Sequence, residues 1–280
     1  MFRRLGLATT TALVILAATA PPAAAAPRPV NVAHRGASAY APENTVAAFE
    51  LAAEQDADLF ELDVQETRDH RLVLVHDTTL ARTTDAEEVF PDRAPWHVGD
   101  FTLAEIRRLD AGSWFGPAYA GEPVPTLEEA LRAMRGRGLG LLLEIKAPHL
   151  YPGIESRVAA ALRRQPHWLA PGRTVVQSFD WPSMRRFHRI LPRVPVGLLG
   201  TPAVAQLPAL ARFARQINPP HRDVTAAYVR RVHALRMEVH TWTVDDPDTM
   251  RRMAGLGVDG IITNRPDVLR TVLGEAREAA

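Results

Sequence analysis

The polar groups in this chain whose types and spacing could do chemistry are His34-Arg35-Gly36, Glu61-Leu62-Asp63, His76-Asp77 and, further on, Glu144-Ile145-Lys146. Leu59, Phe60, Leu62 and Val64 read as a buried strand, yet Glu61 and Asp63 sit inside it at i and i+2, hence on one face. Buried carboxylates need a cation, a paired base or protonation. Glu144 and Lys146 likewise share a direction on a second apolar strand, Leu139 to Lys146, whose Leu141, Leu143 and Ile145 take the other face. Three carboxylates converging would repel unless something positive sat between them. Lys146 alone is insufficient, so a divalent cation is implied, and oxygen donors suit calcium (Ca2+) or magnesium (Mg2+) better than a softer metal. A cation beside Arg35 and Lys146 makes a phosphate site, because each positive group can stabilise the charge that develops in phosphoryl transfer. His34 and His76, titrating near neutrality, fit the proton acceptor and donor that phosphodiester hydrolysis needs, and the residues leave open which is which. Plainer roles compete: arginine ion pairs for Glu61 and Asp63, a simple partner of Lys146 for Glu144, an exposed loop position for Arg35.

Placing these groups together requires strands that end at one rim. Val30 to His34 reads as a first strand, Leu59 to Val64 as a second, and Leu72 to Val75 as a short returning hairpin strand that ends at His76. A helix from about Thr45 to Gln55 takes Asn44 as its N-cap, and Thr126 caps a second helix in the S/T-x-x-E manner with Glu129. After Leu139 to Lys146, helical runs alternate with Thr174 to Ser178, Val196 to Leu199, Gln216 to Asn218, Glu238 to Val244 and Gly260 to Thr263, which predicts an α/β (β/α)8 TIM barrel. In such barrels catalytic groups sit at the carboxyl ends of strands. His34, Glu61, Asp63, Glu144, Lys146, Trp242 and Asn264 all fall there. Residues 78–125, rich in proline and in aromatics such as Trp96, Phe101, Trp114 and Phe115, read as an insertion over the barrel mouth. Residues 27–280 therefore form one catalytic domain.

The same residues carry a family resemblance. Ala33-His34-Arg35-Gly36-Ala37, then Ala41-Pro42-Glu43-Asn44-Thr45, then Glu61-Leu62-Asp63-Val64-Gln65, then Val75-His76-Asp77-Thr78-Thr79-Leu80-Ala81-Arg82-Thr83-Thr84, resemble in order and spacing a glycerophosphodiester phosphodiesterase. The likeness continues through Glu144-Ile145-Lys146, Ser178-Phe179-Asp180 and Gly257 to Asn264. It implies metal ligation by Glu61, Asp63 and Glu144, catalysis by His34 and His76, and cleavage of a small glycerophosphodiester to glycerol 3-phosphate and an alcohol, a step of lipid and glycerol metabolism. It also tilts Asn44 from a plain cap towards hydrogen bonding near the phosphate. The short, polar stave at Gln216 is accepted mainly on this likeness. Trp242 is either barrel packing or a wall for the glycerol group, and His240, on its face, supports the site from below. Rival readings are a phospholipase of the D or C type acting on lysophospholipids, which an exposed rim of Trp96, Phe101, Trp114 and Phe115 would favour, and a non-catalytic phosphodiester-binding barrel.

Composition narrows the setting. Of the 33 basic residues only Lys146 is lysine, two positions from a strand carboxylate, which points to a compact ammonium that an arginine fork cannot imitate. Cysteine is absent, so no disulfide, thiolate nucleophile or cysteine-ligated zinc exists. Met1-Phe2-Arg3-Arg4, an apolar run from Leu5 to Ala20 and the small residues ending at Ala26 read as a signal peptide over residues 1–26, which predicts a secreted protein, extracellular or periplasmic. The run has about fifteen residues where a membrane span needs about twenty, so no stable membrane anchor is expected. Cleavage after Ala26 would remove Arg3 and Arg4 and no acid, leaving 31 basic against 32 acidic residues, and nothing suggests a nucleic-acid partner.

Overall fold

The computed structural model describes residues 28–278; the expected signal peptide lies outside them. In chain order the strands are β1 (Val30–Ala33), β2 (Leu59–Glu66), β3 (Leu72–Leu74), β4 (Gly140–Ile145), β5 (Thr174–Ser178), β6 (Val196–Leu199), β7 (Gln216–Asn218), β8 (Glu238–Thr241) and β9 (Gly260–Thr263). All but β3 pair in parallel, and β1 pairs with both β2 and β9, which closes the sheet into an eight-stranded barrel with helices outside. β3 runs back antiparallel along the end of β2, with Val64 opposite Leu74 and Glu66 opposite Leu72, as the hairpin reading requires. Among the described residues no helix is long and apolar enough to cross a membrane.

Alternation along each strand decides what faces inward. Phe60, Leu62 and Val64 of β2 and Leu141, Leu143 and Ile145 of β4 join the outer core beneath the helices. There Phe60 packs between Phe49 and Trp168 at centroid distances of 5.1 and 5.7 Å, each ring contributing roughly 1.5–3 kcal/mol by burial. The opposite parity fills the barrel, with Val32, Leu142 and Ile262 on one side. Across from them the filling is polar: Asn218 Nδ2 donates to Gln177 Oε1 at 2.7 Å, and Gln216 Nε2 lies 3.1 Å from His240 Nε2. The polarity of β7 follows from this, because its Gln216 and Asn218 point into the barrel while Ile217 packs outward. Gly260 makes room for the His240 ring, which a Cβ at that position would overlap.

One expectation changes. The first helix spans Val46–Glu54 and its N-cap is Thr45, whose side chain accepts from Ala48 N at 3.2 Å; Asn44 sits one position earlier with φ +60°. The second capped helix, Leu127–Ala133, has the reciprocal Thr126 and Glu129 bonds its sequence announces. Residues 78–125 build a small core of their own, in which Leu80, Phe90, Val98, Phe101 and Ile106 pack on Val73 and Val75. This packing sets the segment against the hairpin, and none of its residues lines the cavity that His34 and His76 share.

Candidate active site

β1 ends at Ala33, and the chain turns at once through two left-handed residues, Arg35 at φ +58° and Gly36 at φ +83°. A Cβ on Gly36 would lie 2.5 Å from the Ala48 backbone, so the turn needs glycine where it crosses the first helix. The turn leaves the Arg35 N–H donating to Glu61 Oε2 at 2.8 Å and puts the Arg35 guanidinium 3.2 Å from Asp63 and 3.0 Å from Glu43. On the neighbouring strands Asp63 pairs in register with Glu144, which sets their inward side chains at one level. Lys146, carried by a continuing bond from its N–H to Val64 O, places Nζ 2.8 Å from Glu144 and 3.7 Å from Asp63.

Glu61, Asp63 and Glu144 thus form a buried cluster whose ligand oxygens lie within 4.8 Å of one another. Burial, then the charges of Asp63 and Glu144, pushes Glu61 well above the usual carboxylate range. Burial and Asp63 push Glu144 up to about 7 even with Lys146 beside it. Burial would also raise Asp63, but Lys146, Arg35, His76 and the Asn44 bond outweigh it and hold its carboxyl below the usual range. Asp63 Oδ1 is buried with no hydrogen-bond partner. An orphaned carboxylate oxygen among three acids that resist ionising together is what a hard divalent cation would satisfy, and three oxygen donors at these separations suit one.

His34 and His76 face the same cavity from different elements, together with Arg35, Glu61, Glu144, Lys146 and Trp242. His34 Nδ1 lies 2.7 Å from Asn264 Oδ1. Burial and the adjacent Arg35 charge lower His34 to about 4. His76 follows β3, which Val75 N to Asp63 O extends to the rim, and its Nδ1 lies 2.7 Å from Asp77 Oδ1. Burial lowers His76 also, against the raising influence of Asp63 and Asp77. Arg82, from the start of the insertion, donates to both Asp77 and Glu43, so one guanidinium ties the His76 partner to the Arg35 partner. Burial alone would raise Asp77, but its bonds to Arg82 and His76 bring it down to about 2, an anion at any working pH.

Asn44 does not reach the cavity. Its Nδ2 donates one N–H to Asp63 Oδ2 at 2.9 Å and its Oδ1 accepts from Asp63 N at 3.0 Å, so the amide grips Asp63 by its carboxylate and its backbone. Trp242 lies just past β8, fixed by Nε1 donating to Asn218 O at 2.7 Å, and meets Phe179 edge-on at 5.7 Å to form an apolar wall of the cavity. His240 lies beneath it, buried against Gln216. Trp96, Phe101, Trp114 and Phe115 line none of this cavity, Phe101 being wholly buried and Trp96 Nε1 bonded to Phe90 O, so the apolar rim that would favour a lysophospholipid is not built from them. The cavity measures about 140 Å³. That is room for a few groups the size of a water, each of which occupies about 30 Å³ in the liquid. Sequence reasoning missed Glu43, Asp77 and Arg82 as supports, although all three lie within the runs that carry the resemblance. It also missed Asp245, for which no spacing pattern gives a signal.

Residues 34–268 match the glycerophosphoryl diester phosphodiesterase family. A glycerophosphodiester phosphodiesterase of Caldanaerobacter subterraneus is 38% identical over 241 residues, covering 85% of this chain and 95% of that protein. One from Bacillus subtilis is 36% identical over 264 residues, covering 88% and 86%. Among solved structures, a phosphodiesterase of Oleispira antarctica in complex with the product sn-glycerol-3-phosphate superposes with a TM-score of 0.79 at 27% identity, covering 88% of this chain and 97% of that one.

Proposed function

The chain belongs to the glycerophosphoryl diester phosphodiesterase family, and from that premise we propose that it hydrolyses small glycerophosphodiesters to glycerol 3-phosphate and an alcohol. It is a phosphoric diester hydrolase of the (β/α)8 class. The observation that carries this reading is a buried Glu61, Asp63 and Glu144 cluster, two of whose members line one cavity together with Arg35, Lys146, His34 and His76.

Glu61, Asp63 and Glu144 would hold a divalent cation, calcium or magnesium given an all-oxygen donor set; when bound, it supplies Lewis-acid polarisation of a phosphoryl oxygen. Arg35 and Lys146 bind the phosphate and stabilise the charge that grows on it. One histidine accepts the proton of the attacking hydroxyl and the other donates a proton to the departing alkoxide, each through the Nε2 that its Nδ1 partner leaves free. Trp242 and Phe179 offer an apolar face to the glycerol carbons. Asn44 and Arg82 position the machinery without touching substrate. A signal peptide over residues 1–26 would make this a secreted activity, acting on glycerophosphodiesters outside the cytoplasm.

Incubating the protein with glycerophosphocholine, with and without chelator, and assaying glycerol 3-phosphate tests the proposal. Product that appears only with added calcium or magnesium is expected; none with either cation would sink it. His34→Ala and His76→Ala should each lower kcat about 10²–10⁴-fold.

A further inference from the structure

We propose that Asp245, on the loop after β8, sets the tautomer of His34 through Asn264, and thereby makes His34 the proton acceptor of the pair. Asp245 touches no group in the cavity, yet three bonds converge on it: Asn264 N donates to Oδ1 at 2.8 Å, Thr263 Oγ1 to Oδ1 at 3.0 Å, and Asn264 Nδ2 to Oδ2 at 2.7 Å. A carboxylate accepts and does not donate, so the NH2 end of Asn264 must face Asp245 and the oxygen must face the other way. That oxygen lies 2.7 Å from His34 Nδ1 and 2.8 Å from the Ser38 hydroxyl. His34 therefore carries its proton on Nδ1, and its Nε2 lone pair is left for the cavity. The backbone cannot relax this, since His34 N is itself bonded to Thr263 O at 2.8 Å. His76 has a different kind of partner, the Asp77 carboxylate backed by Arg82, whose bond to Nδ1 helps the ring hold a proton more than the neutral amide on His34 does. A neutral amide on His34 and an anion on His76 divide the labour: His34 takes the proton and His76 gives one. Asp245 and Asn264 are positioning residues in this scheme, which rests on the phosphodiesterase reading above.

The inference has a test that separates it from that reading. In Asp245→Asn an amide NH2 would replace Oδ2 and face the NH2 of Asn264; Asn264 then turns over, presents its NH2 to His34 and forces the proton onto Nε2. In the exchange variant Asp245→Asn/Asn264→Asp, the new amide donates to the new carboxylate, which again accepts from His34 Nδ1, so the tautomer returns. Long-range ¹H–¹⁵N spectra of histidine-labelled protein read the tautomer directly, without turnover. The expected pattern is Nδ1–H in the wild type, Nε2–H in Asp245→Asn, and Nδ1–H again in the exchange. Turnover should follow in the single variant, with kcat down about 10²-fold or more while KM holds; the exchange is read by the tautomer of its neutral ring, because the carboxylate now beside His34 also favours a charged ring. An Nε2–H wild-type signal, an unaltered kcat in Asp245→Asn, or an exchange variant whose neutral ring keeps Nε2–H would overturn the assignment. Absence of hydrolysis in a wild type that shows the expected tautomer would instead sink the functional reading.

Discussion

Binding of the cation should weaken steeply as pH falls, and the steepness follows from the site. A cation needs ionised carboxylates, and Glu144 does not give up its proton until about pH 7, because burial and the Asp63 charge oppose it. Competition from that one proton makes the affinity at pH 5 about 100-fold lower than at pH 8, close to 3 kcal/mol at about 1.4 kcal/mol per decade. Glu61, also raised, adds to the slope, whereas Asp63, already held low, does not. His34, lowered to about 4, stays neutral over this range and brings no competing charge. The sign is definite: a raised carboxyl binds protons in the folded apo protein that the cation must expel, so affinity rises with pH. Calorimetric titration of calcium and of magnesium into chelator-treated protein at pH 5, 6, 7 and 8, in two buffers of different ionisation enthalpy, measures both the slope and the protons released. At least roughly one proton should leave per cation at pH 6, and thermal stabilisation by the cation should be marked at pH 8 and small at pH 5. The acid limb of kcat/KM should move about one pH unit lower when cation is raised tenfold, as competition by a single proton requires. An affinity constant over pH 5–8 with no proton release would refute the cation assignment of the cluster.

Other perturbations separate support from chemistry. Asn44→Leu should weaken cation affinity about 10–100-fold and cost roughly 1–3 kcal/mol of stability, by stripping Asp63 of two hydrogen bonds; metal titration and melting would show it. Lys146→Arg should fail to restore the activity lost in Lys146→Ala, because a planar fork cannot take the place of a compact ammonium 2.8 Å from Glu144; near-normal turnover would count against a specific lysine role. Phe101→Ala should cost about 3–5 kcal/mol within the insertion's core while cation affinity stays unchanged, because Phe101 lines none of the cavity; a large drop in affinity would show that this core, and not Arg82 alone, supports the site.

Much of this was legible in order along the chain. Alternation in Leu59 to Val64 and in Leu139 to Lys146 put Glu61, Asp63, Glu144 and Lys146 on inward faces, and period two leaves little freedom once the apolar partners are buried. Capping by Thr126 and Glu129 was likewise local, and local rules suffice where a residue's partner is three positions away. Gly36 belonged to a legible motif, although only the helix crossing shows why no Cβ fits there. The polar stave β7 is different, since its Gln216 and Asn218 make sense only beside His240 and Gln177 from other strands.

The sequence by itself determined seven of the eight staves and the inward placing of Glu61, Asp63, Glu144 and Lys146, because strand period and apolar patterning are properties of short stretches, while the stave at Gln216 came through the family likeness. Tertiary structure alone decided what each side chain spends its hydrogen bonds on. Asn44 is committed to Asp63, Arg82 joins Glu43 to Asp77, and Asp245 reaches His34 through Asn264 across the β9–β1 seam. Those pairings join residues far apart in the chain, and hydrogen-bond geometry is fixed only when closure of the barrel brings their strands together.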